Sequence, residues 1–223
     1  MGAVYLVRHG QAPAHAYGVG TAAAGASGLT DLGFAQARRT GDVLAALVPG
    51  FDAAISGDLP RQTATLHGAL EAFDASPEQI VDPAWNEYAL PPSVTSVDSS
   101  LYDDRARYQQ ALDVALAGWI AGDTADEGES YTEFATRTRE AAERAASLAG
   151  SGKNVVAVSS AGTITQLLAQ LWGVPGTHWP TLHRTFVNAS ITKLIVGRRG
   201  LQVVSFNEHA HLAARNDGLM TYR

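Results

Sequence analysis

The 223-residue sequence predicts an α/β fold, a three-layer α/β/α sandwich around a mainly parallel sheet. Residues 3–7, 51–56 and 154–158 are short apolar runs without polar alternation, as strands buried on both faces require. They alternate with helical segments, the order that builds a parallel sheet. Residues 189–196 and 201–206, separated by Gly197-Arg198-Arg199-Gly200, read as a hairpin that adds an antiparallel edge.

Each element has a local cause. The first strand stops at Arg8-His9-Gly10. Residues 11–28, rich in Ala and Gly and without a period, read as a loop over the strand edge and a candidate lid. Thr30 or Asp31 caps the first helix, Leu32, Ala35, Leu44 and Leu47 are among its apolar positions, and Pro49-Gly50 ends it. A helix over 59–73 starts near Pro60, in the favoured first-turn position. Residues 79–82 are a third strand, and 90–100, rich in Pro, Ser and Val, an irregular crossing. The helix expected over 102–120 turns Leu112, Leu116 and Trp119 inward. Ser130 and Glu133 have the spacing of a capping box, and the helix they open runs to about residue 149. Ser151-Gly152 turns the chain into the run at 154–158, and the helix over 161–171 is ended by Gly173 and Pro175. No repeat or linker divides the chain, so residues 1–223 are read as one domain with a helical insertion at about 90–130, where a cap over a site is expected.

Composition narrows the function. A hydrophobic fraction of 46% and a charged fraction of 17% describe a soluble globular chain. The formal net charge of −6, with no Lys/Arg run, speaks against a nucleic-acid partner. An anionic small substrate needs only a local positive pocket, about which global charge says little. With no cysteine, thiolate nucleophiles, disulfides and Cys-based zinc sites are excluded. Met1-Gly2-Ala3-Val4 leads straight into the first strand, and no apolar run has membrane-spanning length; cytoplasmic residence and no membrane partner are expected.

The strand ends carry chemistry. In an open α/β sheet the ligand crevice lies at the carboxyl edge of the strands. Arg8 and His9 follow the first strand, Arg61 the second, Glu87 the third, and Ser159-Ser160 the run ending at Val158. Phosphoryl transfer from a monoester needs a nucleophile, fixed positive charge for the phosphoryl oxygens and an acid for the leaving alcohol, and this set supplies all three. Asp82 and Glu78 read as solvated. His209 and His211 have the i, i+2 spacing that would put both on one strand face, but no further ligand pattern accompanies them, so no metal site is assigned.

Leu6-Val7-Arg8-His9-Gly10 resembles the signature of the histidine phosphatase superfamily, the phosphoglycerate-mutase-like enzymes in which the histidine is phosphorylated. Further blocks follow in the family's order. Leu29-Thr30, Gly33 and Gln36-Ala37 resemble its "LT..G..QA"; Ser56-Gly57-Asp58-Leu59-Pro60-Arg61-Gln62-Thr63 resembles "SDL.R...T", whose arginine binds phosphate; Trp85-Asn86-Glu87 sits like the "L.E" of the proton donor. Gly128-Glu129-Ser130 with Arg137 echoes another block, and residues 207–212 echo "ND..HL".

The resemblance implies a phosphoglycerate-mutase-like fold and a phosphomonoester hydrolase that needs no metal and no cofactor. His9, in its neutral form, is then the nucleophile, Arg8 and Arg61 hold the phosphoryl oxygens, and Glu87 protonates the leaving oxygen; Gln11 and Ser160 join the phosphate-binding set. The partner implied is a phosphorylated small molecule, of unassigned identity, and the oligomeric state is equally unassigned.

One departure is conspicuous: where the family has "VSHGG.I", this chain reads Val158-Ser159-Ser160-Ala161-Gly162-Thr163-Ile164, with Ser160 at the second histidine. The Ser160 hydroxyl is expected to point into the phosphate pocket from the amino end of the following helix, whose free amides favour an anion. Lower activity is implied, and Ser160→His is expected to raise it unless the imidazole clashes. Two other classes stay open, a non-catalytic phospholigand-binding protein of this fold and a serine hydrolase built on Ser160; a mutase is a further alternative.

Overall fold

The computed structural model describes residues 1–13, 28–89, 105–122, 128–213 and 217–222. Strand β1 (Gly2–Arg8) is buried throughout from Val4 to Arg8, because it has a neighbouring strand on each edge and a helical layer on each face. The other strands are β2 (Ala53–Ser56), β3 (Glu78–Val81), β4 (Asn154–Ser159), β5 (Ile191–Gly197) and β6 (Gly200–Glu208). They form one sheet in the order β3-β2-β4-β1-β5-β6. The first four in that order are mutually parallel, and the β5–β6 hairpin supplies the antiparallel edge expected from Gly197 and Gly200.

Alternate residues of β1 serve opposite faces, which is why its run has no polar member. Val4 and Leu6 pack with Ile55, Val155 and Ala157 against Ala141, Ala142 and Ala145 of α4 (Tyr131–Leu148) and Ile164, Leu167 and Leu168 of α5 (Ala161–Trp172). Tyr5 and Val7 pack with Ala54, Val156 and Val158 against Leu44 of α1 (Asp31–Leu47) and Leu66 of α2 (Pro60–Leu70). The three-layer architecture is thus as the pattern implies. Of the apolar positions of α1, Leu44 is buried, whereas Leu47, the last helical residue, is exposed.

Local signals match the elements they predict. Thr30 is the N-cap of α1 and accepts from Gly33 N. Ser130 and Glu133 form the reciprocal capping box. Gly173 caps α5 in the left-handed conformation (φ 67°), where a side chain would be strained. Helix α3 (Arg105–Ala121) buries Leu112, Leu116 and Trp119, but residues 90–104 and 123–127 of the expected insertion, and 14–27 of the expected lid, lie outside the described residues.

Two local features differ from the sequence reading. Helix α6 (Trp179–His183) occupies a stretch to which the sequence reading assigned no element; Pro180 lies in its first turn, where proline lacks nothing the helix needs. His209 and His211 do not share a strand face. β6 ends at Glu208 after a positive φ at Asn207 (51°), His209 lies between strand and helix, and His211 belongs to α7 (Ala210–Ala213). His209 Nδ1 donates to Asn207 O at 2.5 Å, and His211 Nε2 lies 3.1 Å from Thr40 Oγ1. Thr40 gives its own proton to Ala189 O, so it accepts from His211 and ties α7 to α1.

Candidate active site

Strand register assembles the site before any side chain is considered. Arg8 pairs with Ser159, and Ser56 pairs with Val158, so the carboxyl ends of β1, β2 and β4 lie side by side. His9 continues this edge: its N–H donates to Ser159 O at 2.9 Å, and its carbonyl accepts from Asn188 Nδ2 at 3.1 Å. Gly10 then passes against the first turn of α1. A Cβ on Gly10 would lie 2.5 Å from Gly33 O, and one on Gly33 would lie 2.2 Å from Gln11 O, so both positions exclude a side chain.

The imidazole of His9, 1% exposed, has its protons assigned by its partners. Nδ1 lies 2.7 Å from Gly10 O, which can only accept; Nε2 lies 3.2 Å from Arg61 Nε, which can only donate. One neutral tautomer satisfies both, with the proton on Nδ1 and a lone pair on Nε2 facing Arg61. Burial first, and then the charges of Arg8 and Arg61, hold the imidazole well below its ordinary value of 6.5. Desolvation is the larger cause, and the two arginine charges come after it.

Both arginines are buried, Arg8 to 3% and Arg61 to 8% exposure. Arg61 sits in the first turn of α2, and Thr65, which accepts from Gly10 N at 2.9 Å and donates to Arg61 O at 2.7 Å, ties that turn to the loop after His9. Arg8 Nη1 donates to Phe186 O.

Ser160 is the N-cap residue of α5, fully buried, and its hydroxyl makes no cap bond. It accepts instead from Gln62 Nε2 at 2.9 Å. The amino end of α5 is not free for an anion in the way the sequence implied, because Gly162 N donates to Glu87 Oε2 at 3.1 Å. Acidic side chains favour that position for the same reason a phosphate would, the unpaired amides of a helix start.

Glu87 is aimed there by its own segment. Arg137 Nη1 donates to Ala84 O (2.9 Å) and Asn86 O (2.8 Å), and Nη2 to Glu87 O (3.1 Å). The Glu129 carboxylate holds the same guanidinium, and Thr163 Oγ1 donates to Asn86 O at 2.6 Å. The Gly128-Glu129-Ser130 and Arg137 block therefore clamps the Glu87 segment, a role its spacing alone did not state.

Gln11 is placed differently from the rest. Its Oε1 accepts from Thr30 Oγ1 at 2.9 Å and its N–H donates to Gln36 Oε1, so the side chain is engaged with the start of α1. Gln62, Asn188 and Thr65 were missed in the sequence, where each reads as an ordinary polar residue; only Gln62, next to Arg61, sat inside a quoted motif. Among the described residues, no group of three or more His, Cys, Asp or Glu is placed to hold a metal, and no helix is long and apolar enough to cross a membrane.

Solved structures share this fold. YhfR of Bacillus stearothermophilus superimposes with a TM-score of 0.73 at 18% identity, over 94% of this chain and 98% of that one. A phosphoserine phosphatase from Entamoeba histolytica gives 0.69 at 18% identity, over 95% and 100%. A mycobacterial glucosyl-3-phosphoglycerate phosphatase gives 0.67 at 23% identity, over 94% and 100%. At these identities the likeness establishes the fold alone. Among curated proteins, none matches the chain. The family model described as histidine phosphatase superfamily (branch 1) matches residues 4–209, a span that runs from β1 to the residue after β6 and holds all the candidate site residues. The chain belongs to that superfamily.

Proposed function

We propose that the protein is a phosphomonoester hydrolase that works through a phosphohistidine on His9. The observation that carries this reading is the buried His9 tautomer, with its Nε2 lone pair against Arg61 Nε. That lone pair attacks phosphorus, the P–O bond to the leaving group breaks, and Glu87 in its protonated form gives the leaving oxygen its proton. Water then attacks the phosphohistidine, its proton passes to Glu87, and the P–N electron pair returns to His9. Arg8 and Arg61 neutralise the phosphoryl oxygens throughout. A screen of phosphorylated metabolites tests the reading; small phosphate esters should be hydrolysed, in keeping with the phosphatase names among the structural neighbours. No turnover of any ester, with phosphate binding retained, would favour a non-catalytic phospholigand-binding role.

Because arginine supplies the positive charge, no metal is required in this reading. EDTA-treated protein should keep its full rate. Loss of activity restored by magnesium or zinc would overturn this part of the mechanism.

Ser160 stands where the family's second histidine would stand, and offers a neutral hydroxyl where an imidazolium would give a charge-assisted bond about twice as strong. The Gln62 contact revises what Ser160→His should do. The Gln62 amide lies 2.9 Å from Ser160 Oγ in a fully buried setting, so an imidazole on residue 160 meets it directly. Ser160→His alone should lower turnover, whereas Ser160→His with Gln62→Ala should exceed the wild-type rate, a charged donor contributing about 1 to 3 kcal/mol. Steady-state rates of the two variants check this; a gain in the single variant would contradict the packing argument. A serine-hydrolase reading finds no support at Ser160, whose described side-chain partner is an amide rather than a base.

A further inference from the structure

We propose that Gln62 is a positioning residue that fixes the Ser160 hydroxyl as a hydrogen-bond donor toward the bound phosphoryl group; this rests on the phosphatase reading above. Gln62 is the residue after Arg61 on α2 and is fully buried. Its Nε2 lies 3.0 Å from Trp85 O and 2.9 Å from Ser160 Oγ. A backbone carbonyl only accepts, so the nitrogen end of the amide must face Trp85, and the second amide proton then goes to Ser160.

A hydroxyl has one proton to give. Trp85 O is closed to it, because Gln62 Nε2 and Ser159 Oγ (2.6 Å) already occupy its two lone pairs. Ser160 Oγ accepts nothing from the amides of α5, so Gln62 is its described donor. While its oxygen accepts from Gln62, its proton has no acceptor among the described residues and is left to give to a bound anion. The amide keeps this orientation even though its own Oε1 has no hydrogen-bond partner among the described residues, facing instead the space beside Gly57, where a Cβ would come within 2.0 Å of it. Reversing the amide would set Oε1 against Trp85 O, acceptor against acceptor, and would turn the Ser160 proton back onto Oε1. A side chain one position beyond Arg61, on the same turn, thus sets how Ser160 meets the anion. Pre-aimed donors of this kind need no reorganisation when charge arrives.

Calorimetric titration with inorganic phosphate tests this on the full chain, using Gln62→Met, Ser160→Ala and the double variant. Met keeps the length of Gln and removes both amide protons. Each single variant should bind phosphate about tenfold more weakly, and the double variant no more weakly than Ser160→Ala alone, since Gln62 acts only through Ser160. Unchanged affinity in Gln62→Met, or losses that multiply in the double variant, would overturn the proposal while leaving the phosphatase reading intact. A wild-type chain that neither binds phosphate nor forms a phosphoenzyme would overturn the reading itself and the proposal with it. If Gln62→Met does not melt cooperatively, the wild-type protein supplies the measurement: the Gln62 side-chain amide resonances should shift on phosphate addition, and resonances that stay fixed at saturation would overturn the positioning role.

Discussion

His9→Ala should remove turnover of an aryl phosphate by about four orders of magnitude or more, as loss of a covalent nucleophile does where catalytic groups act as a unit. Wild-type protein quenched during turnover should carry phosphate on His9, stable in alkali and labile in acid as a phosphoramidate is, and the variant should carry none. An acid-stable adduct on a serine would sink the assignment. The environment of His9 adds a pH signature. Its imidazole is held well below 6.5, mainly by burial. The folded chain thus resists a proton that the unfolded chain accepts, and folding stability should fall as pH drops below about 6.5. The sign follows from the depressed pKa: the contribution is complete above the unfolded value and is lost toward the lower folded value. Chemical denaturation across pH 5 to 7 checks this, and His9→Ala should flatten the slope. His211, lowered chiefly by burial as well, leaves a residual slope in the variant.

Arg61→Ala should cost about 100- to 1000-fold in turnover, the loss of one pre-aimed donor worth roughly 3 to 4 kcal/mol in the transition state. The variant also removes the donor Arg61 Nε, which faces Nε2 of His9 at 3.2 Å. That does not recharge the imidazole, because burial outweighs either arginine in keeping it neutral. The slowed variant should therefore still form a phosphohistidine, with rates reduced across the pH range rather than rescued at one end. A near-wild-type rate would return Arg61 to a structural role.

Much of this protein was legible in its sequence because the signals are local. Val4 to Val7 has to be covered on both faces because it has no polar alternation, and Thr30, Ser130 and Gly173 act on helix ends within a few residues of themselves. Arg8, His9, Arg61 and Ser160 could be placed at one edge because parallel strands bring their carboxyl ends together whatever the intervening loops do. The side-chain partners could not be read in the same way. Whether Glu87 meets solvent or Gly162 N depends on Arg137, fifty residues later in the chain, gripping the carbonyls beside it. The spacing of His209 and His211 promised a shared strand face, and a positive φ at Asn207 ended the strand before either was reached. Gln62 sat beside Arg61 in a recognised block, but its role carried no signal, since its burial and the direction of its amide depend on Trp85 and Ser160, which only the fold brings to it. Sequence determined the architecture and the edge at which the chemistry gathers, because backbone periodicity and caps are short-range physics. Tertiary structure decided which donor meets Nε2 of His9 and which partner Ser160 keeps, because Arg61 and Gln62, distant in the chain, reach those atoms only through the fold.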